Sequence, residues 1–398
     1  MIRPALMRTP DHFRSLIEDR RTAAPHLQKR KSMRIRAAVA TAPHTPLEIR
    51  ELDLDEPRED EVQVRLVASG VCHTDAIVRD QWYPTPLPAV LGHEGAGIVE
   101  RVGAGVTTVA PGDHVVLAPA ACGACAHCVD GHPAYCVDFY PLNFGGSRPD
   151  GSKMFTDHDG EISSNFFGQS SFASVTNVIA RNVVKVPENV PLEILGPLGC
   201  GIQTGSGAVL NVLQPGPGSS IAIFGTGAVG MAGMLAAIAS GATTVIVVDI
   251  VESRLEFARE LGATHAVNSR DTNPVEAIRD ITGGEGVNFA LDSTGVKDVF
   301  PQMLASLATR GHGALVGAAP LGTEAPFNIG TLLLTGLKLS LVVEGDSVPQ
   351  LYIPKLIRMY EKGDFPFDKL IRTYEFDDIN KAFEDSESGG TIKPVIIY

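Results

Sequence analysis

The chain has 398 residues, more than one hydrophobic core usually organises, so its length favours two domains. Hydrophobic residues make up 44% of it and charged residues 20%, with 41 glycines, which is typical of a folded α/β protein rather than a disordered one. The net charge of -13 argues against nucleic acid as a partner, and no apolar run reaches the roughly 18 residues of a membrane-spanning helix.

Residues 1–32 differ in charge from the rest of the chain. They contain eight Lys or Arg residues and three acidic ones, and Pro4, Pro10 and Pro25 interrupt any long helix. They contain no continuous apolar segment of the kind found in signal peptides, so we interpret them as a disordered extension of a cytoplasmic protein. Met33 opens a strand-like run, and we hypothesise that it is the native start. The mass of the protein from its own host would decide this.

From residue 33 to about residue 201, short strand patterns alternate with Gly and Pro turns, which predicts a β-rich domain. Cys72 follows one such strand, Val62–Val67, His93 opens another, and Cys200 lies in a Gly-rich stretch. Two thiolates and one imidazole leave the fourth position of a zinc ion open, which is the pattern of catalytic zinc. Each residue alone is as typical of a buried cysteine or a structural histidine, and the set gains its weight from the nucleotide motif described below.

Four further cysteines are close together in sequence. They are Cys122, Cys125, Cys128 and Cys136. Two-residue gaps allow successive thiolates to bind one ion, and four thiolates complete a tetrahedral zinc site, so we predict a structural zinc rather than disulfides or free thiols. We expect His127 and His132, in the same loop, to be solvated.

A dinucleotide-binding motif follows. The glycines Gly225, Gly227 and Gly230 lie between an apolar strand, Ser220–Phe224, and a helical run that we place at 231–240. The next strand, 244–248, ends at Asp249, whose carboxylate would bind the adenosine ribose and repel a 2′-phosphate, which favours NAD over NADP. Arg254 contacts the ribose or lies on a solvated helix face.

Strand and helix patterns then alternate to about residue 316, which predicts a parallel sheet covered by helices on both faces. The predicted strands are 266–268, 287–292 and 313–316, and the predicted helices are 254–261, 274–282 and 299–308. The tail returns to a mixed pattern with a helix over 348–362. We assign no role to His265 and expect Asp292 to cap a turn.

With these motifs, the sequence from Met33 to Tyr398 resembles the zinc-containing medium-chain alcohol dehydrogenases. The stretch Cys72-His73-Thr74-Asp75, with Gly92-His93-Glu94, is most similar to the aryl (benzyl) alcohol dehydrogenase branch. The resemblance implies an α/β protein in which a GroES-like β-rich catalytic domain accompanies a Rossmann NAD-binding domain with a doubly wound parallel sheet. The implied division is an extension over 1–32, a catalytic domain over 33–201, a Rossmann domain over 202–342 and a return to the catalytic domain over 343–398.

The resemblance also implies roles for individual residues. Cys72, His93 and Cys200 correspond to ligands of a catalytic zinc and the four clustered cysteines to ligands of a structural zinc, so two zinc ions account for all six cysteines. Glu94 corresponds to an acid behind the metal that helps ligand exchange, and Asp75 to a carboxylate that holds the histidine ligand. The implied cofactor contacts are His73 and Lys393 at the pyrophosphate, and Thr204 and Val229 at the nicotinamide.

Thr74 corresponds to the hydroxyl that binds the substrate oxygen and starts proton release. The alternative role for Thr74 is that of a helix N-cap. Many relatives carry a histidine as terminal proton acceptor where this chain has Ile77. We predict a substrate pocket formed by Trp82, Tyr83, Phe166 and Phe167, with the small residues Ala118 and Pro119 leaving space for a ring. The alternative is that two or more of these aromatic residues pack the domain core.

The sequence therefore predicts an NAD-dependent zinc enzyme that reversibly oxidises a primary aromatic or allylic alcohol to its aldehyde. We expect a homodimer or homotetramer joined by edge pairing of Rossmann sheets, with no nucleic-acid or membrane partner. Three alternatives stay open: a formaldehyde dehydrogenase acting on a thiol adduct, a zinc-ribbon module that binds nucleic acid or protein, and a redox-inactive relative kept as a binding protein.

Overall fold

The structure of the chain, a computed structural model, describes residues 32–398. The predicted extension over 1–32 lies outside the described residues except for Ser32, which begins the first strand. Within 32–398, no helix combines the length and the apolar character needed to cross a bilayer.

Two sheets, antiparallel except for one strand pair at the C-terminal end, form the β-rich part of the molecule. The strands of the first pair in the order β4-β1-β2-β7-β8; they are β1 (Ser32–Ala40), β2 (Glu48–Asp55), β4 (Ala89–Val90), β7 (Phe155–Asp157) and β8 (Gly160–Ile162). The second sheet is built around β3 (Glu61–Gly70), which pairs with β5 (Gly95–Val102) and β9 (Val175–Ile179). It continues through β6 (His114–Leu117) to β10 (Val183–Lys185).

The chain returns to this second sheet at its C-terminal end. Strand β18 (Lys393–Ile397) pairs antiparallel with β3, and β17 (Ile371–Glu375) pairs parallel with β18. The register places Ile396 opposite Ser69 and Val395 opposite Gly70. The last residues are therefore part of the sheet whose strand β3 leads directly to Cys72.

The third sheet is parallel throughout. Its order is β13-β12-β11-β14-β15-β16; the strands are β11 (Ser220–Phe224), β12 (Thr244–Asp249), β13 (His265–Asn268), β14 (Val287–Asp292), β15 (Leu307–Leu315) and β16 (Lys338–Leu341). The central strands are rich in Val, Ile and Ala because helices cover both faces of the sheet. This is the strand order of a doubly wound nucleotide-binding fold.

The helices connect these strands and cover the sheets. They are α1 (His73–Arg79), α2 (Ala126–Val129), α3 (Phe139–Phe144), α4 (Leu192–Leu195), α5 (Gly201–Gly207), α6 (Ala228–Ala239), α7 (Glu252–Glu260), α8 (Pro274–Ile281), α9 (Val299–Ser306), α10 (Ile329–Thr335), α11 (Pro349–Glu361) and α12 (Ile379–Glu387). A π-helical segment, Ala208–Leu213, continues α5.

The predicted fold class, a β-rich domain with a doubly wound parallel-sheet domain, is confirmed. Several predicted boundaries in the parallel-sheet domain differ from the observed ones, two of them by three residues or more. Helix α6 begins at Ala228, three residues before the predicted start, because Gly227 is its N-cap and the end of the glycine motif forms its first turn. Strand β15 begins at Leu307 rather than Gly313 because α9 ends at Ser306 and the chain turns directly into the sheet.

We predict that Ile396→Ala lowers the free energy of unfolding by about 2–4 kcal/mol, since the side chain is fully buried in the returning strand β18. Chemical denaturation followed by fluorescence measures this change. The control is Leu351→Ala, whose side chain is 73% exposed and should alter stability little. An Ile396→Ala protein as stable as the control would contradict this account of the C-terminal strand.

Candidate active site and metal centres

Three sequence-distant segments bring potential metal ligands together. Cys72 precedes α1, His93 lies just before β5, and Cys200 precedes α5. Their ligand atoms and a carboxylate oxygen of Glu94 all lie within 4.8 Å of one another. His93 is fully buried, and its Nε2 atom has no hydrogen-bond partner. An unpartnered buried nitrogen facing two thiols is what a metal ligand requires, so these residues fit a zinc ion.

The carboxylate of Asp75 fixes the geometry of this cluster. Its Oδ1 accepts hydrogen bonds from His93 Nδ1 at 2.8 Å and from the backbone N–H of Gly92 at 3.1 Å, and its Oδ2 accepts from the N–H of Cys72 at 2.9 Å. Donation from Nδ1 leaves the lone pair of Nε2 free for a metal. Asp75 is fully buried and also caps α1, so the same carboxylate holds two of the ligand segments.

Thr74 is the second residue of α1 and is half-buried. The N-cap of this helix is Cys72, so the alternative role of Thr74 as N-cap is wrong. His73, the first residue of the helix, is exposed, and its ring meets that of Trp82 edge-on at 6.2 Å. Ile77 is buried, with 2% exposure, and offers no acceptor for a proton.

Aromatic rings surround the imidazole of His93. Phe167 stacks on it with 4.5 Å between ring centroids, and Phe166 meets it edge-on at 5.4 Å. Phe144 contacts both phenylalanines, at 6.0 and 5.2 Å. The backbone turns sharply here, with Asn165 and Phe167 both in the left-handed region, at φ of 61° and 49°. These rings exclude water from one side of the cluster.

The other two predicted pocket residues lie farther out. Tyr83 is 5.9 Å from the ring of Phe144, and its hydroxyl donates to the carbonyl of Ala319 at 2.7 Å. Trp82 is 42% exposed. Of the two small residues predicted to leave space, Pro119 lines a cavity of about 370 Å³ that also involves Phe139 and Glu344.

The predicted pyrophosphate contact of Lys393 is wrong. Its ammonium group is buried and donates to both carboxylate oxygens of Glu94, at 2.9 and 2.8 Å, and to the carbonyl of Val71 at 3.1 Å. Three acceptors use all three ammonium hydrogens and leave none for a phosphate. Burial alone would lower the pKa of Lys393, but the negative charge of Glu94 outweighs it and the pKa is raised.

The four clustered cysteines form the second potential metal centre. Their Sγ atoms lie within 4.8 Å of one another, and the 3.5 Å between Cys125 and Cys128 is far too long for a disulfide. Backbone N–H groups of Ala124 and Cys125 point to Cys122 Sγ at 3.4 and 3.3 Å. The N–H of Cys128 in particular lowers the pKa of Cys125 to about 6. Such donors stabilise thiolates, which suits four-sulfur zinc binding.

His132, predicted to be solvated, instead bonds Asp346 Oδ1 through Nδ1 at 2.6 Å, and this hydrogen bond raises the pKa of His132. This contact connects the four-cysteine loop to a segment that is remote in sequence.

The glycine motif lies where β11 enters α6. Gly225 has a φ of 88°, and a Cβ on Gly230 would lie 1.8 Å from the carbonyl oxygen of Gly225. The turn therefore admits only glycine at both positions. A Cβ on Gly227, the N-cap of α6, would meet nothing within 4 Å, so this helix start has room for a pyrophosphate. The same helix packs against α5, where a Cβ on Gly205 would lie 1.8 Å from the carbonyl oxygen of Val229.

Asp249 ends β12 beside the glycine motif. Its Oδ2 accepts from both the N–H and the hydroxyl of Thr226, each at 2.6 Å, and its Oδ1 accepts from the N–H groups of Ile250 and Val251. Arg254 donates to the carbonyl of Gly389 at 3.2 Å, linking α7 to the end of α12.

Glu344 is a site residue that the sequence did not reveal. Its Oε1 lies 3.7 Å from Cys200 Sγ, and its Oε2 accepts from Gln203 at 3.2 Å and from the hydroxyl of Thr204 at 3.4 Å. Burial raises its pKa to about 7. An isolated acid in a Glu-Gly-Asp run carries no motif, and only the fold brings it to Cys200.

Comparisons with known proteins agree with this arrangement. The family model for the alcohol dehydrogenase GroES-like domain matches residues 58–188, and that for zinc-binding dehydrogenases matches residues 228–362. A geraniol dehydrogenase of Castellaniella defragrans is 45% identical over 91% of this chain and 97% of its own length.

Solved structures give the same picture. A benzyl alcohol dehydrogenase of Acinetobacter calcoaceticus is 50% identical, with a TM-score of 0.89 over 92% of this chain and 99% of that chain. An alcohol dehydrogenase zinc-binding domain protein of Burkholderia ambifaria is 55% identical, with a TM-score of 0.90 over the same shares of the two chains.

We predict that Asp75→Asn weakens metal binding at the three-ligand cluster by about 10- to 100-fold, because an amide cannot accept from all three donors. Zinc content after dialysis against graded chelator measures this loss, and the four-cysteine centre should keep its metal. Asp377→Asn, at an exposed acid, is the control. Wild-type zinc retention in Asp75→Asn would show that Asp75 does not hold the ligand.

Proposed function

The chain belongs to the zinc-containing medium-chain alcohol dehydrogenases, and from this premise we propose that it oxidises primary aromatic or allylic alcohols to aldehydes with NAD as hydride acceptor. The observation that carries the substrate class is the set of phenylalanine rings packed on His93. Aromatic walls beside a metal site favour flat, apolar substrates through buried area and ring stacking.

Two relatives support this substrate class by their names, one as a geraniol dehydrogenase and the other as a benzyl alcohol dehydrogenase. Geraniol is an allylic alcohol and benzyl alcohol an aromatic one, so both place an unsaturated carbon next to the carbinol. The cavity lined by Pro119 and Phe139 adds space near the predicted pocket.

We assign the catalytic zinc to Cys72, His93 and Cys200, and the structural zinc to the four clustered cysteines. The bound zinc and NAD supply Lewis-acid polarisation of the alcohol oxygen and a hydride acceptor, respectively. The protein's own part is to hold the ligands through Asp75, to exclude water with Phe166 and Phe167, and to move the proton. The ion pair of Glu94 with Lys393 keeps a buried acid within 4.8 Å of the atoms that would bind the zinc.

We assign the first proton transfer to the hydroxyl of Thr74, which follows the proposed zinc ligand Cys72 by two residues. Ile77 interrupts the relay found in many relatives, so the proton leaves through solvent on the exposed side of α1, where His73 lies. His73 and the first turn of α6 are the proposed pyrophosphate contacts, and Thr204 and Val229 the proposed nicotinamide contacts.

We propose that the catalytic domain comprises residues 33–201 and 343–398 and that residues 202–342 form the NAD-binding domain. The pairing of β18 with β3, and of β17 with β18, supports this division, as does the confinement of the parallel sheet to 220–341.

We also propose a cytoplasmic location. All six cysteines are free of disulfides, which is typical of proteins in a reducing compartment.

We also propose a homodimer or homotetramer assembled through strand β16. This strand ends the order of the parallel sheet, and Leu339 and Leu341 on it are 43% and 65% exposed. Leu333 and Leu334 of the neighbouring α10 are 80% and 87% exposed. An exposed apolar edge strand can pair with the same strand of a second copy of the chain, which would bury these leucines.

We predict that zinc-loaded enzyme reduces NAD with a higher kcat/KM for benzyl alcohol or geraniol than for ethanol, by about tenfold or more, because an aromatic ring or a long unsaturated chain buries much more apolar area than a methyl group. Steady-state kinetics on protein of measured zinc content provides the test. Activity only with formaldehyde plus a thiol would identify the thiol-adduct enzyme instead, and the absence of NAD-linked activity would favour a binding protein.

We predict that Asp249→Asn reduces the preference for NAD over NADP by about tenfold, equal to about 1.4 kcal/mol of removed repulsion. The amide oxygen can accept from Thr226 or from the N–H groups of Ile250 and Val251 but not from all four donors, so we expect kcat/KM to fall somewhat with both cofactors, while their ratio reports the lost charge. The ratio of kcat/KM values for the two cofactors gives the result, with Asp271→Asn, an exposed acid beyond β13, as control. An unchanged ratio would show that the charge of Asp249 does not select the cofactor.

A further inference from the structure

A half-buried acid outside the recognised motifs reaches both halves of the proposed active site. Glu344 lies beside Cys200, a proposed zinc ligand, and accepts hydrogen bonds from Gln203 and Thr204 on the first turn of α5. Gln203 also donates to the carbonyl of Gly199 at 2.7 Å, so its amide connects Glu344 to the turn that precedes Cys200. One carboxylate therefore contacts the zinc-ligand residue and the proposed nicotinamide contact together.

The backbone that carries Glu344 is unusual. Glu344, Gly345 and Asp346 have φ values of 48°, 67° and 46°, which are three consecutive left-handed residues, two of them with side chains. Such conformations persist only where the surroundings fix them. Here the amide of Asn211 donates to the carbonyl of Gly345 at 3.0 Å, and the hydroxyl of Ser347 donates to that of Glu344 at 2.8 Å.

The position of Gly345 shows how close this turn lies to α5. A Cβ at this residue would lie 2.3 Å from the carbonyl oxygen of Gln203. The turn is therefore pressed against the same helical turn that the Glu344 side chain contacts, and a residue larger than glycine would force the two apart.

The four-cysteine loop supports the turn from the other side. His132 bonds Asp346 at 2.6 Å. The hydroxyl of Tyr135 donates to the carbonyl of Leu341 at 3.2 Å and accepts from the N–H of Val343 at 3.4 Å. Residues 341–346 are thus held between the loop of the proposed structural zinc and the cluster of the proposed catalytic zinc.

We propose that Glu344 is a positioning residue of the active site, which holds the start of α5 so that Cys200 and Thr204 keep their places for the metal and the nicotinamide. This inference rests on the proposed function. On this proposal, the four-cysteine loop also helps to position the active site, because it supports the turn from which Glu344 extends.

The test compares Glu344→Ala and Glu344→Gln with wild-type enzyme and with Glu361→Gln, an exposed acid on α11, as control. Trp82 is the single tryptophan, so quenching of its fluorescence reports NADH binding without turnover. Cobalt in place of the catalytic zinc reports the Cys200 ligand through its sulfur-to-metal absorption band.

For Glu344→Ala we expect NADH binding about tenfold weaker, kcat lower by about tenfold or more, and an altered cobalt band, since three side-chain contacts are lost. Glu344→Gln should stay within about threefold of wild type because its amide oxygen still accepts from Gln203 and Thr204. If the alanine variant does not fold, Glu344→Asp, whose shorter side chain lengthens the same contacts, should show the same changes at smaller size.

Wild-type NADH binding, kcat and cobalt band in Glu344→Ala would overturn the proposal. Equal losses in the glutamine and alanine variants would also overturn it, because they would show that charge rather than hydrogen bonding matters. Tyr135→Phe should change the same readouts in the same direction by about threefold, and an unchanged Tyr135→Phe would remove the supporting role of the loop. NAD reduction by the wild-type enzyme is measured first. If no alcohol supports it, the proposed function is contradicted, whatever the variants show.

Discussion

The carboxylate of Asp75 is the constraint on which the rest of the site depends. It is buried and accepts hydrogen bonds from three donors, of Cys72, Gly92 and His93. A polar group is buried at low cost only when it is hydrogen-bonded, so these three bonds fix the two ligand segments and the start of α1 relative to one another. The unpartnered Nε2 of His93 follows from this geometry, since the ring is held with its other nitrogen toward Asp75.

A second constraint joins the metal cluster to the nucleotide site. Cys200 precedes α5, and α5 meets α6 at a contact where Gly205 leaves room for the carbonyl of Val229. Because α6 begins at the glycine motif, the spacing between the proposed zinc and the proposed nicotinamide position is set by this close helix contact. Hydride transfer needs the reacting atoms to be near and oriented, which rigid helix packing provides better than a mobile loop.

Around this frame, buried charge is placed with compensation. Lys393 neutralises Glu94 behind the cluster, and Glu344 finds its donors on α5. The returning strand β18 supplies Lys393, which explains why the C-terminal residues belong to the catalytic sheet rather than to a tail. The aromatic rings on His93 then provide an apolar wall beside the charged groups, and the contrast between the two suits a substrate with one polar end.

By itself, the sequence determined the two cysteine-based metal motifs, the nucleotide-binding motif and most of the parallel-sheet domain. The two-residue cysteine spacing and the glycine motif before Asp249 are local patterns, because their geometry is set within a few residues. The strand and helix alternation gave the doubly wound sheet, and strand Val287–Asp292 was predicted with its observed bounds. The elements that were predicted differ mainly at their ends, such as the start of α6, where caps rather than periodicity decide. Helix α10 and strand β16 were not predicted.

Only the tertiary structure decided the roles of Lys393, Trp82, His132 and Glu344. The family resemblance predicted that Lys393 contacts the pyrophosphate, whereas the structure shows it bound to Glu94. These two residues are nearly 300 positions apart in sequence. Periodicity did not separate the exposed Trp82 from the buried Phe166 and Phe167, which lie on a left-handed turn. Glu344 carries no motif and reaches Cys200 through a fold-dependent turn. Contacts between side chains that are distant in sequence depend on how whole helices and strands pack, and no short stretch of sequence predicts that packing.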